Sequence, residues 1–546
     1  MSARNSNHIR NPFLKGFNPD PCICRVGDTY YVATSTFEWY PGVQIHASKD
    51  LQQWEMVSRP LNRADLLDMR GVPDSCGVWA PGLSYADGEF WLVYTNVRRF
   101  DGDFKDTPNF LTTCDTIDGD WGAPVYLNAS GFDPSLFHDD DGRKWLVNMI
   151  WDHRADRTHF GGIYLQEYDV EARRLTGPRT NIFKGSPSGF TEAPHLYKVN
   201  GYYYLMTAEG GTGYDHAVTI ARSKDIQGPY ELDPARHILT AKDSPRSDLQ
   251  RTGHASLVQT QDGDWLMPFL CSRPLDGTQR SPLGRESALA RVHLDHDGWF
   301  KLRDTDFLSA PIVRGNDGVQ TYQFDSDRLH QDFQWLRTPH PERLFSLEDR
   351  PGHLRLMGRE SPGSLFEQSL IARRASSHAY EVMTSVEFDP EDFQQMAGLM
   401  IYYNQHKFHY LNVSRGEGGR RELSILSCLA DQSLVSDQPL IDAPIALPET
   451  GSISLRARVT GAELRFAYAI EATHWIDVGP VLDASLLSDE AGKGEGANFT
   501  GTFVGMGCHD LTGQGQPADF SHFEYRDLSD HRVGEPAADQ LEDVLT

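Results

Sequence analysis

From residue 19 to about residue 300 the chain repeats one pattern five times. A short apolar stretch beside a Pro gives way to a Gly/Asp/Asn turn, then to a strongly aromatic run. The openings are Pro19-Asp20-Pro21, Trp79-Ala80-Pro81, Phe132-Asp133-Pro134, Glu192-Ala193-Pro194 and His254-Ala255-Ser256. The runs they lead to are Tyr30-Tyr31-Val32, Phe90-Trp91, Lys144-Trp145, Tyr202-Tyr203-Tyr204 and Asp264-Trp265. Aligning Pro21, Pro81, Pro134, Pro194 and Ser256 gives intervals of 60, 53, 60 and 62 residues. No helical periodicity lies between the units. A repeat of this length, built on hairpins, predicts four-stranded blades, and five of them predict a five-bladed β-propeller over residues 1–315.

The blade pattern stops near residue 320. Alternating runs follow, among them Leu354-Arg355-Leu356, Glu381 to Val386, Gly398 to Tyr403 and Ile453 to Val459, spaced by turn residues. Period-two alternation without helical segments predicts an antiparallel β-sandwich over 320–530. The last stretch, 531–546, is acidic and aperiodic and is expected to be loosely ordered. The chain is therefore read as all-β throughout.

Composition narrows the partners. A formal net charge of −26 repels phosphate backbones and anionic lipid, so nucleic acid and membrane surfaces are disfavoured as partners. A small neutral or cationic substrate suits that surface better. No run of 18 apolar residues and no signal peptide can be read, and seven scattered cysteines do not form a disulfide framework. Together these point to the cytoplasm. Two motifs are set aside: Asp139-Asp140-Asp141-Gly142 lacks the later ligands of a calcium loop, and Glu209-Gly210-Gly211-Thr212-Gly213 opens no helix after a strand.

The chemistry lies at the repeat openings. In a propeller the innermost strand of each blade starts at the central channel, and there the sequence places Asp20, Trp79, Asp133, Glu192 and His254. One Asp beside a Pro is ordinarily a turn residue. Three carboxylates at equivalent positions are another matter, because like charges held together raise one another's pKa and destabilise the fold. Glu192 stands two residues before its Pro while Asp20 and Asp133 stand one before theirs; a β-bulge would absorb the slip. Glycoside hydrolysis needs such a set: one protonated acid for the leaving oxygen, one ionised carboxylate, and environments that separate their pKa values. Trp79 and Phe37, the latter in an unusually aromatic loop, can stack on sugar rings. His254 can act as a metal or water ligand or as a hydrogen-bonded channel residue.

The order Asn18-Pro19-Asp20-Pro21, Gly77-Val78-Trp79-Ala80-Pro81, Gly131-Phe132-Asp133-Pro134-Ser135, Thr191-Glu192-Ala193-Pro194-His195, Gly253-His254-Ala255 and Leu283-Gly284-Arg285-Glu286 resembles glycoside hydrolase family 43, and within it the two-domain β-xylosidases. The resemblance spans nearly the whole chain. It implies an inverting mechanism with Asp20 as general base, Asp133 as the pKa-modulating and orienting carboxylate, and Glu192 as general acid. It implies that Arg285 binds sugar hydroxyls between the walls Phe37 and Trp79, against the alternative that Arg285 merely pairs with Glu286 or a blade carboxylate. It further implies a lectin-like jelly-roll second domain whose late-loop aromatic, matched by Phe503, closes the pocket; the alternative for Phe503 is a core residue on a strand. Some members bind calcium near the residue matched by His254, and similar enzymes are often tetramers, so a homo-oligomer, dimer or tetramer, is an expectation. No cofactor is required on this reading. The implied activity is exo-cleavage of xylose from the non-reducing end of β-1,4-xylo-oligosaccharides, with α-L-arabinofuranosidase side activity. Its rivals are a primary arabinofuranosidase, a retaining propeller hydrolase and a non-catalytic sugar-binding propeller.

Overall fold

The computed structural model describes residues 9–303, 318–429, 441, 443–470, 474–492 and 498–528. The acidic tail at 531–546 lies outside them. Five antiparallel sheets follow one another in the chain, as the repeat requires. The first joins Cys22–Val26, Thr29–Thr34, Gln44–Ser48 and Glu55–Ser58, and the second runs from Gly77–Ala86 to Val125–Asn128. The third and fourth begin at Ser135–His138 and Glu192–Val199. In the fifth the innermost strand is split, since Gln250–Ala255 and Val258–Gln259 both pair with Trp265–Ser272.

Stacking of blades explains the aromatic runs. Second strands such as Glu89–Val97 are buried along almost their whole length, because each lies between two neighbouring sheets and both faces must be apolar. Separate clusters fill the gaps between blades. Trp91, Leu136, Leu146 and Tyr168 lie between the second and third, Val147, Leu165, Leu196 and Leu205 between the third and fourth. The ring is closed where the first blade meets the last. Ser256 Oγ donates to Pro21 O and accepts from Ile23 N, both at 3.0 Å. The Asn11 side chain both donates to Leu289 O and accepts from Leu289 N at 2.9 Å, tying the N-terminal segment onto the fifth blade.

The second domain is a β-sandwich with sheets of eight and six strands. In the larger, the long strand Pro517–Asp527 sits centrally and pairs with Val319–Gln323, Leu354–Met357 and Ala379–Glu387. In the smaller, Phe503–Asp510 lies between Ser369–Arg374 and Gln395–Asn404. All four alternating runs picked out in the sequence fall on strands. The domains are joined by more than a linker: Trp39–Tyr40 pairs with Trp335–Leu336, and buried Arg337 reaches Asp74 at 2.6 Å. No helix among the described residues is long and apolar enough to cross a membrane.

Candidate active site

Two features of the innermost strands deliver the carboxylates. In four blades the residue before the Pro takes a left-handed backbone: Asp20 at φ +58°, Ala80 at +35°, Asp133 at +54° and Ala193 at +52°. In the fifth it is His254, at +42°, one residue out of phase. Such conformations cost on the order of 1 kcal/mol each for a non-glycine residue and persist where surrounding structure fixes them. The second feature is the bulge expected from the slip. Register shifts separate Glu192 from His195 and Trp79 from Gly82, so in blades two and four the residue before the left-handed one turns inward. Asp20 and Asp133 thus share one column, Trp79 and Glu192 the next. Gly77 is required beside this bend: it has φ +89°, and a Cβ there would lie 2.3 Å from Phe37 O.

The three carboxylates meet in one pocket of about 880 Å³, together with Trp79, Phe37, His254 and Arg285. Asp20 and Asp133 are 5% and 6% exposed, whereas Glu192 is half-buried in the wall. Burial alone would raise the Asp20 pKa. The Arg285 guanidinium, His254 and the Ser35 hydroxyl, which donates to Oδ2 at 2.6 Å, outweigh it and hold the group below the ordinary aspartate value. Glu192 goes the other way. Burial and the Asp20 charge push it up to about 7, against the pull of Arg285 and Lys105. Asp133 is raised as well, by burial and by the charges of Glu192 and Asp20. Its Oδ2 accepts from Ala193 N at 3.0 Å, a bond that fixes the backbone directly after Glu192. The shifts thus favour the protonated forms of Asp133 and Glu192 and the ionised form of Asp20.

Arg285 does not pair with Glu286, which is taken by Arg273 at 2.6 and 2.7 Å and by Gly16 N at 2.6 Å. Arg285 instead donates to Thr212 Oγ1 at 3.1 Å and to Phe499 O at 2.9 Å, and stands 3.5 Å from Asp20 Oδ1. Its Nε is buried without a partner. Phe37 and Trp79 form a continuous aromatic wall, ring centroids 5.7 Å apart. The wall is completed by a ring that the repeat pattern does not single out. Phe499, from the sandwich, lies 5.8 Å from Trp79, 6.5 Å from Phe37 and 5.2 Å from Phe100.

Phe499 also corrects an expectation. Phe503 opens a strand, is fully buried, and stacks on Trp39 at 3.6 Å in the joint between the domains. It does not line the pocket. Alternation along Phe503–Asp510 turns its side chain into that joint, and the late-loop aromatic at the site is four residues earlier. The turn Asn404 to His406 brings further sandwich residues to the rim.

His254 lines the pocket with Nδ1 3.4 Å from Asp20 Oδ1. Among the described residues no three His, Cys, Asp or Glu side chains converge to hold a metal ion. Calcium takes six to eight oxygen ligands. One imidazole beside a single carboxylate that already faces Arg285 would leave a calcium ion there to be coordinated mainly by water, and the proton transfers proposed for this site do not depend on it.

Known proteins resemble the chain over nearly its whole length. Residues 9–300 match the family described as glycosyl hydrolases family 43, and residues 321–526 match the β-xylosidase C-terminal concanavalin A-like domain. The chain is 51% identical over 526 residues to a protein named xylosidase/arabinosidase 43B from Humicola insolens, covering 95% of this chain and 97% of that one. It is 46% identical to a β-xylosidase of Bacillus subtilis (strain 168), with 95% and 99% covered. The crystal structure of xylan β-1,4-xylosidase from Bacillus halodurans C-125 superposes with a TM-score of 0.90 at 47% identity, covering 95% of this chain and all of that one.

Proposed function

We propose that this chain, which belongs to glycosyl hydrolases family 43, is an exo-acting inverting β-xylosidase that releases xylose from the non-reducing end of β-1,4-xylo-oligosaccharides. The observation that carries the reading is the split in proton affinity within one pocket: Asp20 held below its ordinary value, Glu192 lifted to about 7. A base must be ionised and an acid protonated at the same pH, and the opposite directions of these two shifts support that division of roles.

The reaction follows from those states. The Asp20 carboxylate takes a proton from a water that attacks the anomeric carbon from the face opposite the leaving group. Glu192 gives its proton to the glycosidic oxygen as the C–O bond breaks. Afterwards Asp20 is protonated and Glu192 ionised, and solvent exchange restores both. Asp133 keeps Glu192 oriented through the Ala193 amide. Arg285, which lines the pocket beside Asp20, holds the terminal sugar between Phe37, Trp79 and Phe499.

The relatives' names support xylose as the sugar, and one of them supports arabinofuranosidase activity alongside it. The two sugars offer similar hydroxyl geometry to a tight pocket. A neutral oligosaccharide suits a chain of net charge −26. Seven free thiols support a reducing, cytoplasmic setting, in which the chain assembles as a dimer or tetramer. The test is product analysis on xylobiose, longer xylo-oligosaccharides and an aryl arabinofuranoside. Stepwise release of xylose, with kcat/KM on xylosides above that on arabinofuranosides, is expected. Binding of xylobiose without cleavage, or release of internal fragments, would refute it.

A further inference from the structure

Glu209 ends the strand Tyr202–Glu209 and is fully buried, yet the proton transfers above do not use it. Ser186 Oγ donates to its Oε2 at 2.7 Å and Thr191 Oγ1 to the same atom at 3.0 Å. The Thr207 and Thr219 hydroxyls each lie 3.3 Å from Oε1 and 2.7 Å from one another. A hydroxyl carries a single hydrogen, so that pair directs one to Oε1 and shares the other. Glu209 therefore accepts three hydroxyl hydrogen bonds, and among the described residues no cation pairs with it. Burial raises its pKa above the ordinary glutamate value, and the hydroxyl donors pull it back toward the ionised form.

The two donors to Oε2 stand at the ends of one short loop, and Thr191 is bonded directly to Glu192. The loop is also held at its middle, where Gly210 N donates to Gly189 O at 2.7 Å. Gly185 leaves room for this arrangement, since a Cβ there would lie 2.8 Å from Thr191 Oγ1. We propose that Glu209 is a positioning residue for Glu192: its caged carboxylate ties the loop Ser186 to Thr191 to the fourth blade and thereby fixes where the Glu192 carboxyl stands. The proposal rests on Glu192 being the general acid. A second consequence is electrostatic. Glu192 is faced by Asp20, Asp133 and Glu209 on the negative side and by Arg285 and Lys105 on the positive side. Loss of the Glu209 charge tips that balance toward ionised Glu192.

The experiment is a set of kcat–pH profiles for wild type, Glu209→Gln, Ser186→Ala and Glu192→Gln, on xylobiose and on an aryl xyloside with a good leaving group, each with a thermal unfolding curve. Glu209→Gln keeps the shape of the cage without its charge. Its alkaline limb is expected to move down by about half a pH unit or more, and its loss on xylobiose to exceed that on the aryl xyloside by about tenfold. Ser186→Ala keeps the charge and loosens the loop, so it is expected to lose xylobiose activity selectively with the limb in place. If Glu209→Gln fails to fold, Ser186→Ala carries the test by that selectivity. Equal losses on both substrates with an unmoved limb, and only a lower melting temperature, would overturn the proposal. If Glu192→Gln itself retains the wild-type alkaline limb, the acid assignment is what fails.

Discussion

Glu192→Gln separates proton donation from every other contribution of the site. The side chain keeps its size and its place in the wall, and loses only the proton it can give. The structure sets the scale. An ordinary glutamate with its pKa at 4.5 would be protonated in only about 0.3% of molecules at pH 7, whereas at about 7 roughly half carry the proton. Burial and the Asp20 charge therefore raise the competent population about 150-fold at neutral pH. General acid catalysis is typically worth 10²–10⁴-fold, or about 3–5 kcal/mol of barrier. The assay is kcat and kcat/KM on xylobiose and on aryl xylosides of graded leaving-group pKa, over pH 4 to 9. On xylobiose, whose leaving alkoxide cannot depart unprotonated, the variant should lose about 10²–10⁴-fold. On an activated aryl xyloside it should lose far less, and the alkaline limb near 7 should vanish. A loss uniform across leaving groups, or an alkaline limb that persists, would refute the assignment.

Wild-type activity should be bell-shaped in pH. It rises as Asp20 ionises, below the ordinary aspartate value, and falls as Glu192 loses its proton through about 7. Asp20→Asn should cost several orders of magnitude in kcat, roughly 10³-fold or more; a loss under about tenfold would remove it as the base. Phe499→Ala should weaken kcat/KM by about tenfold, through a lost ring at the sugar and a disturbed Arg285, with little change in unfolding midpoint. Phe503→Ala should do the reverse, destabilising the fold by about 3–5 kcal/mol in chemical denaturation while the folded enzyme turns over normally. Incubation with a chelator should leave activity within about twofold; a larger loss that calcium restores would show that the proton transfers depend on a bound ion.

The propeller was legible because each blade repeats the same local solution. An apolar inner strand, a turn and an aromatic second strand recur at nearly constant spacing, and that spacing is a sequence property. Asp20 and Asp133 were legible for the same reason, each lying beside a Pro in equivalent units. The Glu192 slip was legible too, since Glu192 stands two residues before its Pro; the spacing does not give the register shift between Glu192 and His195 that turns the side chain inward. The sandwich strands could be seen but not their order. Val319–Gln323 pairs with Pro517–Asp527 across almost the whole domain, and nothing local specifies that partner. The Phe503 expectation failed at the same level. Thr502-Phe503-Val504 looks like a loop between glycines, yet it opens a strand whose alternation carries the ring inward. Phe499, between Asn498 and Thr500, gave one local signal, an aromatic isolated among polar residues just before a strand. The turn Asn404 to His406 gave none, since it reaches the pocket only because the two domains dock.

The central claim is that Asp20 activates a water on one face of the sugar while Glu192 protonates the oxygen on the other. ¹H NMR of the first-formed product from a β-xyloside tests it most directly, read before mutarotation equilibrates the anomers. Single inversion requires α-xylose to appear first. If β-xylose appears first, the reaction proceeds with retention, a carboxylate acts as nucleophile, and Asp20 and Glu192 do not work as the paired base and acid of a single displacement.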